Sequence, residues 1–317
     1  MRTGFCIAVA LLAFNAAAQP YPSKPVRVVV PSSPGGASDL VTRFVSTALA
    51  ERLGQPFVVE NRVTSGGIVG TQQVAESAPD GYTLLGTFDT FAINPYLFKG
   101  LKWDPVRDFA PLMQICRYPQ VLLVHPSLGV KTVKEFVALA KAKGASLNYG
   151  SAGPASSSRL AYELFKDTAG IETEPIHYKG GGPAIQDLLS GQVQVMLIQG
   201  GGAIPQYVKT GKLVALAVSS LERSKFYPAL PTIAETYPGF ESESWVGMFA
   251  PAATPHAVRE RLHAELAKTL SDPGLRDKLE AQGCDVVAGS PEALAARVRS
   301  DQAKWSRIIR EKNITIQ

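Results

Sequence analysis

Cysteine and histidine are scarce in this chain of 317 residues: three Cys and four His. Cys6 lies in an apolar N-terminal run, leaving Cys116 and Cys284, neither with a partner at metal-ligand spacing. In an oxidising compartment these two can pair, but nothing in the sequence places them together. The expectation is two separate, mostly buried thiols. His125, His177, His256 and His263 show no metal-ligand spacing either. There is no Gly-x-Ser-x-Gly elbow and no evident nucleophile–base pair, so an enzyme is not expected. The glycines at Gly35 and Gly36 are followed by no Lys, which excludes a P-loop, and they lack the spaced dinucleotide fingerprint. The net charge of +5 is spread along the chain, with no basic stripe interleaved with aromatics. Nucleic-acid binding is therefore not expected, although the mild excess suits small anions. Hydrophobic residues make up 45% of the chain, enough for a substantial core and against disorder.

What is present begins with an address. Arg2 is the only charge before Lys24, an apolar run spans about Phe5 to Phe14, and Ala16, Ala17 and Ala18 precede Gln19. That is a signal peptide over residues 1–18, cut near Ala18, with an apolar run too short to cross a bilayer. Cys6 lies inside that run and not after a cleavage box, so no lipid anchor is read. The expected location is the periplasm.

The mature chain opens on a β-branched strand, Val26 to Val30, ended by Pro31. A loop of small residues follows: Ser32, Ser33, Pro34, Gly35, Gly36, Ala37, Ser38 and Asp39. Leu40, Val41, Phe44, Val45, Ala48 and Leu49 then recur at helical spacing up to Gly54. A strand, a small-residue loop and a helix N-terminus make a corner with free N–H groups and a partial positive charge, suited to anions. The pattern repeats through Phe57 to Glu60, Ser65 with Gly66 and Gly67, and a third strand from Tyr82 to Gly86. That strand opens into Thr87, Phe88, Asp89, Thr90 and Phe91. Repeated β-loop-α units argue a mainly parallel sheet with ligands beyond the carboxyl ends of its strands.

A fresh unit starts at Val121. Thr132 with Glu135 makes a capping box, and a second corner follows at Ala152, Gly153, Pro154, Ala155, Ser156, Ser157 and Ser158 before another helical run. If each belongs to its own domain and they face each other, two such corners make a clamp for something with two anionic ends. His177 to Pro183 is a further glycine loop into a helix, and Val193 to Ile198, followed by Gln199, is a strand. Thr232 with Glu235 is a second possible capping box, and Ser244 to Ala250 can return to the first unit. C-terminal helices carrying Val258, Leu262, Leu266 and Leu270, then Leu294, Val298, Trp305, Ile308 and Ile309, most simply cover the first sheet.

The segments Tyr21 to Arg27, Pro34 to Asp39, Val59 to Arg62, Asp80 to Leu85, Ala92 to Pro95, Asp108 to Pro111, Tyr178 to Gly180 and Phe249 to Pro251 resemble the substrate-binding proteins of tripartite tricarboxylate transporters, the Bug family. The resemblance runs over the whole mature chain. It implies an α/β, two-lobed type II periplasmic binding protein. Residues 19–118 plus 225–317 would form lobe 1, and 119–224 lobe 2, with crossovers near Tyr118 to Gln120 and Ser219 to Ser224. Members hold small organic acids with backbone N–H groups, hydroxyls and water, without a cofactor. The implied partners are a membrane permease or a sensor-kinase ectodomain, and the implied state is a monomer. By the same analogy the loops at Ser32 to Asp39, Ser65 to Gly67 and Thr87 to Phe91 face Ala152 to Ser158, with Ile198 and Gln199 nearby. The chain departs from the family at Phe88, Asp89 and Phe91, where a Ser-Ser-Thr-His-like loop is common, and at Ile198, where an acid is common. A more apolar pocket favours an aromatic or otherwise apolar carboxylate, unless one or both Phe pack in the core. Asp89 would meet a ligand ammonium, repel a second carboxylate, or cap a nearby N–H.

Overall fold

The computed structural model describes residues 21–63 and 65–316. The signal peptide expected over residues 1–18 lies outside them. β1 (Val26–Val30), α1 (Ala37–Leu53), β2 (Phe57–Asn61), α2 (Ile68–Ala75), β3 (Thr83–Phe88) and α3 (Thr90–Leu97) lead into a long strand, β4 (Phe109–Val124). Next come α4 (Val133–Lys143), β5 (Asn148–Ser151), α5 (Ser157–Ala169), β6 (Glu174–His177), α6 (Gly181–Leu189), β7 (Val195–Gln199), α7 (Ile204–Lys209) and β8 (Val214–Val218). The chain closes with β9 (Glu243–Pro251), α8 (His256–Leu270), α9 (Pro273–Glu280), β10 (Asp285–Val286) and α10 (Pro291–Glu311).

β1 is valine-rich and buried at every position but Arg27, as suits a strand flanked on both edges. It pairs parallel with β2 and β3, and β3 pairs antiparallel with β9. β4 then joins two lobes. Its first part pairs with β9, from Phe109 opposite Pro251 to Pro119 opposite Glu243, and its last residues pair with β7 and β8. Beyond β7 lie β5 and β6, parallel to each other.

The distant cysteines are bonded, contrary to the expectation of separate thiols. β10 lies antiparallel on β4 with Val286 opposite Cys116, which brings Cys284 within 5.6 Å (Cα–Cα) of Cys116 and forms the disulfide.

The C-terminal crossing also differs from the expectation. Tyr227 packs with Val121 and Val218, while Ile233 and Phe240 join Phe136 and Phe165 in the second lobe's core. A bridge from Val218 to Thr232, and a hydrogen bond from the Ser242 N–H to the Ser219 carbonyl, hold this stretch down. Its apolar side chains find their nearest uncovered sheet there. The chain therefore crosses back at Ser242 and Glu243 as β9 begins, not at Ser219 to Ser224. α8 and α9 cover the first sheet through Leu262, Leu266, Leu270 and Leu279. α10 does not stop there: Leu294 and Val298 pack with Phe91 and Trp245, but Trp305, Ile308 and Ile309 reach the second lobe's core.

Candidate ligand-binding cleft

The strand-to-helix corners meet where the lobes face each other. Three contiguous compartments, of about 270, 220 and 200 Å³, form one cleft around Gln199, which lines all three. Together they fall within the range of small-molecule sites, roughly 300–1,000 Å³. Gly35, Ala37, Gly181, Gly182 and Tyr118 line the first; Phe88, Thr90, Gln120, Ala152, Ser156 and Ser157 line the second; Ser32, Ser33, Gly36 and Ala37 line the third. The starts of α1, α3, α5 and α6 thus open on one space, and α1, α3 and α6 carry no side-chain cap. Among the described residues no Lys or Arg lines these compartments. Positive potential there comes from helix ends and N–H groups.

The first loop is held in shape by Asp39, which is buried beneath it. The Asp39 carboxylate accepts from the Gly35 N–H at 2.8 Å, Arg43 Nε at 2.9 Å and Asn61 Nδ2 at 2.8 Å. Asn61 Nδ2 also donates to the Ser32 carbonyl at 3.0 Å, tying the loop to β2. Burial would raise the Asp39 carboxyl, but the bonds from Arg43, Gly35 and Asn61 outweigh it and hold the group below its ordinary value. Ser32 and Ser38 hydroxyls meet at 2.7 Å, completing the brace. The second corner is self-capped: the Arg159 N–H donates to Ser156 Oγ at 3.3 Å, and the Ala152 N–H to Ser158 Oγ at 2.9 Å.

Asp89 stands between the lobes. It is 2% exposed, and desolvation pushes its carboxyl up to about 7. Ser244 and Ser157 hydroxyls pull it down again by hydrogen bonding, and the Asp301 carboxylate pushes it up. Its Oδ1 has no hydrogen-bond partner. Gln199 Nε2 donates to Ser244 Oγ at 2.8 Å, and Ser244 and Ser157 are the hydroxyls that act on the Asp89 carboxyl.

Twelve of the sequence candidates line the cleft: Ser32, Ser33, Gly35, Gly36, Ala37, Phe88, Thr90, Ala152, Ser156, Ser157, Ile198 and Gln199. The others do not. Phe91 is core: it stacks on Trp103 at 5.6 Å and meets Phe109 and Phe249 at 5.0 and 4.7 Å. Its position on α3 turns it under the sheet, while Phe88, at the end of β3, faces the cleft. Gly66 and Gly67 support from behind: the Gly66 carbonyl accepts from Asn94 Nδ2 at 2.7 Å, and Gly67 lies against Pro31. Thr87 is buried in β3, Gly153 accepts from Ser156 Oγ, and Ala155 packs on the second lobe's core. Sequence reasoning missed Gly181 and Gly182, whose loop carried the same glycine-before-helix signal. It named Tyr118 and Gln120 only as a crossover. Both are buried, and neither the Tyr118 hydroxyl nor either end of the Gln120 amide has a hydrogen-bond partner.

Two α/β lobes joined through shared strands, with a cleft between them floored by helix starts, define a solute-binding protein of the two-lobed periplasmic kind. BugT of Bordetella pertussis is 32% identical to this chain, over 97% of the chain and 95% of BugT. A Rhodopseudomonas palustris protein solved with adipate is 31% identical with a TM-score of 0.82, over 93% of this chain and 100% of that one. MatC of Rhodopseudomonas palustris, solved with bound malate, is 31% identical with a TM-score of 0.77, over 91% and 100%. The family model described as the tripartite tricarboxylate transporter family receptor matches residues 41–314, and the chain belongs to that family. The family and these neighbours are substrate-binding proteins, not enzymes.

Proposed function

We propose that the protein captures a small organic carboxylate between its lobes in the periplasm and presents the closed form to the membrane components of a tripartite tricarboxylate-type transporter. The observation that carries this reading is the convergence of four helix starts, three of them uncapped, on one cleft whose wall, among the described residues, holds no lysine or arginine. Such a site binds an anion through N–H groups and hydroxyls, each charge-assisted bond contributing roughly 1.5–3 kcal/mol. Several of them suffice for micromolar affinity, about −8 kcal/mol. The adipate and malate of the neighbouring structures support a carboxylate ligand. Among the described residues no helix is long and apolar enough to cross a membrane, which suits a receptor that works beside its permease.

Amide-proton NMR of the isotope-labelled protein tests the site. A bound carboxylate is expected to move the amide resonances of Ala37, Thr90, Gly181 and Gly182 most. Largest movements around the apolar hollow at Val106 and Phe109, with the cleft amides still, would place the ligand elsewhere.

A further inference from the structure

The second cleft compartment contains a buried amide whose acceptor end a plain carboxylate cannot satisfy. Gln120 is 1% exposed, and neither Oε1 nor Nε2 has a partner. Its backbone is locked: the N–H donates to Ser219 Oγ at 2.8 Å, the carbonyl accepts from the Ser219 N–H at 2.8 Å, and Gln199 is its partner on β7. The amide is thus held rigidly in the wall of the compartment, beside Thr90, Ser156 and Ser157, with both ends open. Asp89 lies near this compartment without lining it, and its Oδ1 is likewise buried and unpartnered. Native structures rarely leave buried polar atoms unpaired, and exceptions call for an explanation.

A carboxylate offers only acceptors. It can take the Gln120 Nε2 and the helix N–H groups, but it leaves Gln120 Oε1 facing it without a proton between. The compartment is only about 220 Å³, so this acceptor and the helix starts must serve neighbouring ligand atoms. Resting on the receptor reading above, we infer that the ligand is a carboxylate with a hydrogen-bond donor, hydroxyl or amino, on the carbon beside its carboxyl group, and that Gln120 recognises that donor. The carboxylate takes the helix starts and Gln120 Nε2. Gln120 Oε1 accepts from the donor. Phe88 and Ile198 provide an apolar wall for the rest of the molecule. Specificity of this kind is strong because a ligand without the donor leaves the site's own buried groups unpaired.

Calorimetric titration of the mature protein with two matched sets tests this: succinate, malate and aspartate; and 3-phenylpropanoate, 3-phenyllactate and phenylalanine. In whichever set binds, the 2-hydroxy or 2-amino acid is expected to bind at least about tenfold more tightly than the unsubstituted acid, roughly 1.4 kcal/mol. Gln120→Met, close in shape and without the amide, is expected to bring that ratio within about twofold. Asp89→Asn separates the two donors. In titrations above about pH 7, where Asp89 is ionised, it is expected to weaken the amino acid more than the hydroxy acid, because only an ammonium gains from a nearby carboxylate. Circular dichroism of both variants establishes that they fold. Equal affinity for the unsubstituted acid in the unaltered protein overturns the inference and leaves the receptor reading standing, as does unchanged discrimination in a folded Gln120→Met. Absence of binding by all six acids overturns both.

Discussion

Asp39 and Asp89 are the same residue type in neighbouring loops, and their surroundings send them opposite ways. Asp39 has Arg43, Asn61 and the Gly35 N–H on its oxygens and is held ionised. That stabilisation is present above the ordinary aspartate range and is lost as pH falls through the lowered value. Asp89 has no cation and is pushed up to about 7. The folded protein keeps a proton there that the unfolded chain releases near pH 4. This contribution is present at low pH and is lost as pH rises through about 7. Asp89→Asn keeps the shape and removes the titration. Melting curves of both proteins from pH 4 to 8 are expected to show the variant gaining on the parent as pH rises, by on the order of a few kcal/mol. Buried Glu243 and Asp301 are also raised; Asp301, coupled to Asp89, titrates lower once Asp89 carries no charge, which adds to the variant's gain in the same direction. A difference flat across that range contradicts the account of Asp89.

Among the elements, β10 shows how much a short strand can fix. It is two residues long, yet it seats Cys284 against Cys116 on β4 and closes a loop of 168 residues. Cys284→Ser is expected to cost about 2–5 kcal/mol, seen as a fall in the denaturation midpoint of the oxidised protein. A midpoint unchanged by the substitution, with the parent protein oxidised, would contradict a structural role. The sequence could not reveal this pairing, because contacts across that separation depend on sheet register and not on local pattern. Local signals fared better. The valines of β1, the glycine loops before α1 and α6, and the apolar spacing of α8 and α10 were all legible, because side-chain period and backbone sterics act within a few residues. Thr232 and Glu235 form a full capping box, though on a single 3-10 turn, while Glu135 reaches the Lys131 N–H instead of the Thr132 N–H. Composition alone could not separate Phe88 from Phe91: both are apolar and three positions apart, and only the change from strand to helix turns one to the cleft and the other to Trp103. Gln120 was hidden for a related reason. It lies in a strand otherwise buried on both faces, where a polar residue shows no local sign of what it meets.

At the scale of the molecule, β4 and β9 connect the lobes, and α10 ties them a third time. Arg297 donates to the Glu243 carbonyl at 2.9 Å, Asp301 accepts from Trp245 Nε1 at 2.7 Å, and Trp305 lies in the second lobe's core. A ligand that contacts α1 and α3 on one side and α5 and α6 on the other therefore adds its binding energy to the stability of both lobes together. The most direct measurement is the thermal unfolding midpoint of the mature protein against a panel of small carboxylates and their methyl esters. The account predicts that at least one acid raises the midpoint in proportion to the logarithm of its concentration, while the corresponding ester, lacking the anionic oxygens, does not. An ester that stabilises as well as its acid, or a panel in which no carboxylate moves the midpoint, would contradict it.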